Sequence, residues 1–216
     1  MVLLRGGAVG MVVMLGLLSF ETDNLLVRLV SIPMTNLPLL VLAHRYLLKP
    51  RGDGFLERWG LRLLPAAWGR LCLVVLASLA AGFVVEWGLG KIAEPLDLSS
   101  HWTEWFDNDL VWGGASVLAV SLLEYVLFAP LFEELVFRGL LFATLRRKFG
   151  WGLSATLSAA IFAIAHGYGV LGFVSVIWSG LLWAWVYEKT GSLLPGIVAH
   201  ALNNLMVCLA VMWLLR

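Results

Sequence analysis

Charge and cysteine are the two things this chain of 216 residues has little of. Charged side chains make up 13% of it and nearly cancel, leaving a formal net charge of +1, whereas a soluble domain carries about 25%. That balance excludes a strongly basic nucleic-acid binder and an acidic tail. The two cysteines, Cys72 and Cys208, both sit in apolar stretches. Neither a disulfide framework nor a cysteine-rich zinc site is therefore expected. There is no internal repeat, no low-complexity tract and no His-Glu-x-x-His helix motif of the common zinc proteases. The stretch from Leu18 to Thr22 offers no small-x-small cleavage site. The apolar run after Arg5 thus reads as a retained first span rather than a signal peptide.

What abounds is apolar surface: 61% of residues are hydrophobic and the mean hydropathy is +0.90. A soluble domain of this size cannot bury that much, so lipid is the solvent for most of the chain. A spanning helix needs roughly 20 apolar residues at about 1.5 Å each. The candidates are 6–20, 25–47, 71–90, 110–130, 152–167, 169–187 and 193–215, with an additional helix over 131–147. The expectation is an all-α, polytopic integral membrane protein with seven to eight membrane-embedded helices. Pro33 and Pro38 should kink or locally break the second span, and Arg28 can snorkel to the interface.

Loop charge suggests an orientation. From Arg45 to Arg70 the chain carries Arg45, Lys49, Arg51, Arg58, Arg62 and Arg70 against Asp53 and Glu57, which the positive-inside rule places in the cytoplasm. Lys91 to Asp109 holds Glu94, Asp97, Glu104, Asp107 and Asp109 with one lysine, plus Trp102 and Trp105, as suits the opposite interface. The N-terminus is then cytoplasmic and the membrane the cell membrane. One stretch resists the scheme: a crossing over 110–130 and the basic Arg146-Arg147-Lys148 both call for the cytoplasm, with 131–147 between them. Either 131–147 is a tilted or partly inserted helix, which is the preferred expectation, or the crossing before it is incomplete.

Ionisable groups at membrane depth are costly and mark function. Glu134 and Arg138 stand four apart and can pair in the favourable acid-first order, which leaves Glu133, about 100° away around the helix, without that partner. A carboxylate so placed in a low-dielectric pocket suits a general base, although acids at a helix start also favour the dipole. Phe162-Ala163-Ile164-Ala165-His166 ends an apolar helix in a histidine, a setting more common for a hydrogen-bonded helix contact than for a catalyst. His200 and Asn204 share a face of the last span, while Asn203 points elsewhere as an interhelical hydrogen bonder. Together these supply a base to activate water and donors for an oxyanion, the needs of peptide hydrolysis.

At these residues the sequence resembles the CAAX-processing and bacteriocin-processing (CPBP, or Abi) intramembrane proteases. The family pattern is Glu-Glu-x-x-x-Arg, then Phe-x-x-x-His, then His-x-x-x-Asn. Here these read Glu133-Glu134-Leu135-Val136-Phe137-Arg138, Phe162 to His166, and His200 to Asn204, with Pro130 and Gly139 as typical neighbours. The resemblance covers about 120–210, so 106–216 reads as the protease-like core and 1–105 as N-terminal helices and loops with no resemblance. It implies that Glu133 and His166 activate the attacking water. It further implies that His200 and Asn204 stabilise the oxyanion and that Glu134 and Arg138 hold the site together. Family members are often described as metalloproteases, whereas the eukaryotic CAAX protease is read as glutamate-dependent. Glu133, His166 and His200 could form a His₂Glu zinc site, but the missing zinc motif favours a site needing no metal, or only weakly dependent on one. The implied partners are the bilayer and a peptide or protein substrate arriving from it: a prenylated CAAX tail, a bacteriocin precursor, a signalling peptide or a membrane-protein tail.

Two other readings compete. Gly114-Ala115-Ser116-Val117 partly matches the Gly-x-Ser-Gly nucleophile motif of rhomboid proteases, but Val117 replaces the final glycine, and small residues with serine are common at helix contacts. A non-catalytic membrane scaffold, immunity or regulatory protein, or a transporter, would use the same polar cluster structurally. Trp178, Trp183, Trp185 and Trp213 read mainly as lipid or interface contacts.

Overall fold

The computed structural model describes residues 6, 8–10, 12, 25–45, 59–62, 68–96, 106 and 108–215. Every regular element among them is helical. Helix α1 spans Leu25–Ala43, α2 Trp68–Ala93, α3 Ala115–Arg146, α4 Trp151–His166, α5 Val170–Thr190 and α6 Leu193–Leu215. All but α4 are long and apolar enough to cross a membrane. Side chains such as Leu76, Phe83, Ile164 and Trp213 point outward, bare of protein, a surface that only lipid covers without penalty. Most of the expected 6–20 span lies outside the described residues, as do Trp102, Trp105, the Arg28 side chain and most charged residues of the 45–70 loop. Helix α1 is continuous through Pro33 and Pro38, so neither breaks it.

The structure corrects the reading of 110–130 and 131–147 as separate elements. They form one helix, α3, of 32 residues, about 48 Å long at 1.5 Å per residue. A short π-helical turn, Asn108–Trp112, precedes it. The orientation conflict disappears, because a single crossing carries the chain from Gly114 to the basic Arg146-Arg147-Lys148. The misreading has a local cause: α3 is not uniform, with π-helical turns at Glu124–Phe128 and Glu134–Phe142 flanking a short α segment at Ala129–Glu133. Polar residues at those turns look, in sequence, like a boundary. The expected span at 152–167 is also shorter than a crossing. Its 16 residues in α4 reach only about 24 Å.

Helices α4 and α5 pair through small buried residues, Ala155, Ala159, Gly180 and Ala184, which let the backbones approach closely. Gly167 and Gly191 end α4 and α5 in left-handed backbone (φ 67° and 66°), which glycine adopts without a Cβ penalty. One end of the bundle is tied by several contacts. The Leu193 N–H donates to the Gly60 carbonyl (2.8 Å), Ser192 Oγ to the Arg62 carbonyl (2.8 Å), and Arg146 pairs with Glu188 (3.0 Å). At the other end Tyr125 donates its hydroxyl to Asp109 (2.9 Å). Helix α1 packs on α3, while α2 packs on α5 and α6.

A single crossing by α3 has a direct consequence. With Cys72 and Cys208 replaced by alanine, Ser116→Cys and Lys148→Cys should react with a membrane-impermeant maleimide from opposite faces of sealed vesicles. Labelling of both from the same face would contradict one continuous span.

Candidate active site

The site begins with two charges buried in α3. Arg138 Nη1 donates to Glu134 Oε1 at 2.8 Å, and neither side chain has any exposure. Buried charge is tolerated only when paired and hydrogen-bonded, and the surroundings supply part of the rest, Glu134 Oε2 and Arg138 Nε having no hydrogen-bond partner among the described residues. Arg138 Nη2 donates to the Gly180 carbonyl of α5 (3.2 Å). The guanidinium carbon lies 4.5 Å from the Phe162 ring centroid and 5.1 Å from that of Trp183, within the range of attraction between a cation and an aromatic face. Gly180 must be small here. A Cβ at that position would sit 2.9 Å from the Ala159 Cβ and 3.2 Å from Arg138 Nη2.

His200 of α6 completes the network. Its Nδ1 lies 3.1 Å from Glu134 Oε1, so a carboxylate acceptor assigns the proton to Nδ1 and turns Nε2 toward Glu133, whose Oε2 is 3.6 Å away. The His200 ring stacks on Trp183 at 3.6 Å and 17°, which fixes its plane. Trp183 is buried at 5% exposure, which corrects its reading as a lipid contact. Trp213, at 85% exposure, keeps that reading. Trp183 carries no motif signal, and only its position three residues after Gly180 on α5 hints at a shared face.

His166 occupies the last turn of α4, stopped there by Gly167. Its Nδ1 donates to the Phe162 carbonyl at 2.8 Å, leaving Nε2 as the lone-pair nitrogen of the neutral ring. Phe162 is the shared aromatic centre, edge-on to His166 (4.4 Å), Trp183 (5.8 Å) and His200 (6.1 Å). Tyr168, in the turn after α4, leans on His166 at 5.3 Å, a neighbour that sequence reasoning missed.

Asn204 is held by a consequence of Pro130. In the π turn of α3 the Ala129 N–H reaches five residues back, to the Glu124 carbonyl. Pro130 has no N–H to continue that register onto the Tyr125 carbonyl. Asn204 Nδ2 donates to that carbonyl instead, at 2.9 Å. An amide nitrogen has two hydrogens, so one is left for another acceptor.

Glu133, His166, His200 and Asn204 all line one cavity of about 270 Å³ between the helices, room for several waters at roughly 30 Å³ each. Glu134 and Arg138 stand behind it. Ser116 is exposed and does not line the cavity. Among the described residues no three His, Cys, Asp or Glu side chains gather closely enough to hold a metal ion. Glu133, His166 and His200 are thus not gathered here as the three protein ligands of a zinc ion.

Helices, cavity and polar cluster together define a polar site inside a bundle of apolar helices. Residues 115–206 match the family model described as Type II CAAX prenyl endopeptidase Rce1-like, the same group of proteases that the three motifs resemble. No curated protein and no solved structure matches the chain.

The packing makes a graded prediction. Gly180→Ala should cost about 1–3 kcal/mol by overpacking, and Arg138→Ala about 3–5 kcal/mol by stranding a buried carboxylate, both read by thermal unfolding in detergent. Wild-type melting of Gly180→Ala would contradict the close approach of α5 to α4.

Proposed function

We propose that this protein is an intramembrane endopeptidase that hydrolyses a peptide bond of a membrane-associated or prenylated protein or peptide. The observation that carries the reading is the gathering of Glu133, His166, His200 and Asn204 on one cavity inside a helix bundle. The match of 115–206 to a prenyl endopeptidase family supports the same class. In this reading Glu133 takes a proton from a water in the cavity, with the Nε2 lone pair of His166 as the second acceptor. Both are acceptors lining the cavity, where a water can be held for activation.

As the water oxygen adds to the scissile carbonyl, negative charge develops on the carbonyl oxygen. The second N–H of Asn204 and His200 Nε2, protonated by transfer from Glu133 Oε2 3.6 Å away before Glu133 accepts the water proton, are the donors for it. Glu134 balances the charge on His200 through Nδ1, and donors fixed in advance need no reorganisation. Glu133 then returns its proton to the leaving amine. The bond broken is C–N, the oxygen gained comes from water, and no covalent enzyme intermediate forms. The basic end of the bundle, with Arg62 and Arg146 to Lys148, faces the cytoplasm of the cell membrane in this account, and the N-terminus lies on that side.

The test uses purified protein incubated with native membranes, with new peptide termini mapped by mass spectrometry. Wild type should create termini that Glu133→Gln does not, and loss of one donor in Asn204→Ala should slow cleavage about 10²–10³-fold. Ser116→Ala should cleave as wild type, since that serine stands away from the cavity. Identical termini from wild type and from folded Glu133→Gln would favour a scaffold.

A further inference from the structure

The cavity has a second carboxylate that the hydrolytic set does not use. Glu86, on α2, lines the same space as Glu133 and accepts a hydrogen bond from Ser175 Oγ of α5. One turn before Glu86, the Trp178 indole N–H donates to the Ala81 carbonyl at 3.1 Å. Helices α2 and α5 are thereby pinned together at the point where Glu86 projects. A carboxylate inside a lipid-embedded bundle is costly without a positive partner. Glu134 has Arg138, but the described lining of this cavity contains Glu86 and Glu133 and no lysine or arginine. Glu86 is half-buried, and the lining offers it Ser175 Oγ but no lysine or arginine.

Resting on the peptidase reading, we propose that Glu86 is a specificity-determining residue that binds a lysine or arginine side chain of the substrate near the scissile bond. A sphere of the cavity's volume, about 270 Å³, is about 8 Å across, or two to three residues of extended chain. The selected side chain therefore lies within about three positions of the cleaved bond. The preferred substrate is an apolar segment that bears a basic residue near the cleaved bond. Glu86 lies outside the stretch that matches the family, 115–206, so this selectivity belongs to the N-terminal helices of this chain.

The test is equilibrium binding, which does not depend on turnover. Fluorescein-labelled, C-terminally amidated apolar decapeptides carry lysine, norleucine or glutamate at one of the central positions. They are titrated onto purified protein in phosphatidylcholine nanodiscs. The Glu133→Gln background keeps the peptides intact and leaves Glu86 as the sole carboxylate of the described lining. At one position or more, the lysine peptide should bind about tenfold more tightly than its norleucine twin. Adding Glu86→Gln should bring that ratio to about one, and Glu86→Lys should shift preference to the glutamate peptide. A ratio within twofold at every position, or a lysine preference that survives Glu86→Gln, overturns the proposal. So does a Glu86→Gln protein that loses thermal stability while its ratio is unchanged, since Glu86 would then be only a helix tie. Ratios taken on one sample are insensitive to a misfolded fraction. If wild type cleaves nothing in native membranes, the peptidase reading fails while the binding ratio still decides the role of Glu86.

Discussion

Two opposite charges with no exposure, Glu134 and Arg138 at 2.8 Å, set the terms for everything around them. Neither can be hydrated, so each needs partners from other helices. Arg138 takes the Gly180 carbonyl from α5 and two aromatic faces, Phe162 of α4 and Trp183 of α5. Glu134 takes His200 from α6. Three neighbouring helices are therefore drawn to one point by a single pair on α3. That point is where Glu133, the neighbouring residue, faces the cavity. The pair does no chemistry in the proposed reaction. It fixes where His200 sits and which of its nitrogens is left to act.

Irregular backbone does the finer positioning. In a regular α-helix each mid-helix carbonyl already accepts an internal bond and offers a neighbour only its second lone pair. The π turns of α3 break that regularity, as π-bulges at functional sites often do. The Tyr125 carbonyl, without a donor from Pro130, receives Asn204, and the Phe137 carbonyl receives Ser158 Oγ at 3.0 Å. Gly167 plays a comparable part for α4: by ending the helix one residue after His166, it leaves that ring at the cavity edge. The exceptions to helical regularity in α3 and at the end of α4 thus coincide with polar groups that the proposed chemistry uses.

Much of this was legible in the sequence because the rules involved are local. Apolar length gave membrane helices, and the four-residue spacings of Glu134 with Arg138 and of His200 with Asn204 gave shared faces. What stayed hidden depends on tertiary contact. The continuity of α3 was obscured because polar residues and Pro130 at mid-helix resemble a boundary when nothing shows their partners. Trp183 looked like a lipid-facing tryptophan among others until the stacking on His200 separated it from Trp213. Glu86 carries no motif and lies far from the family pattern in sequence. Only the approach of α2 to α5 brings it to the same cavity as Glu133.

The claim that most else rests on is the link between Glu134 on α3 and His200 on α6, because it turns a local ion pair into an assembled site. A double-mutant cycle measures it: thermal unfolding in one detergent of wild type, Glu134→Gln, His200→Phe and the double variant. The account predicts a coupling of about 1 kcal/mol or more, as fits a hydrogen bond to a charged group. Strict additivity of the two single changes would contradict it, and would leave the histidine beside the pair by proximity alone.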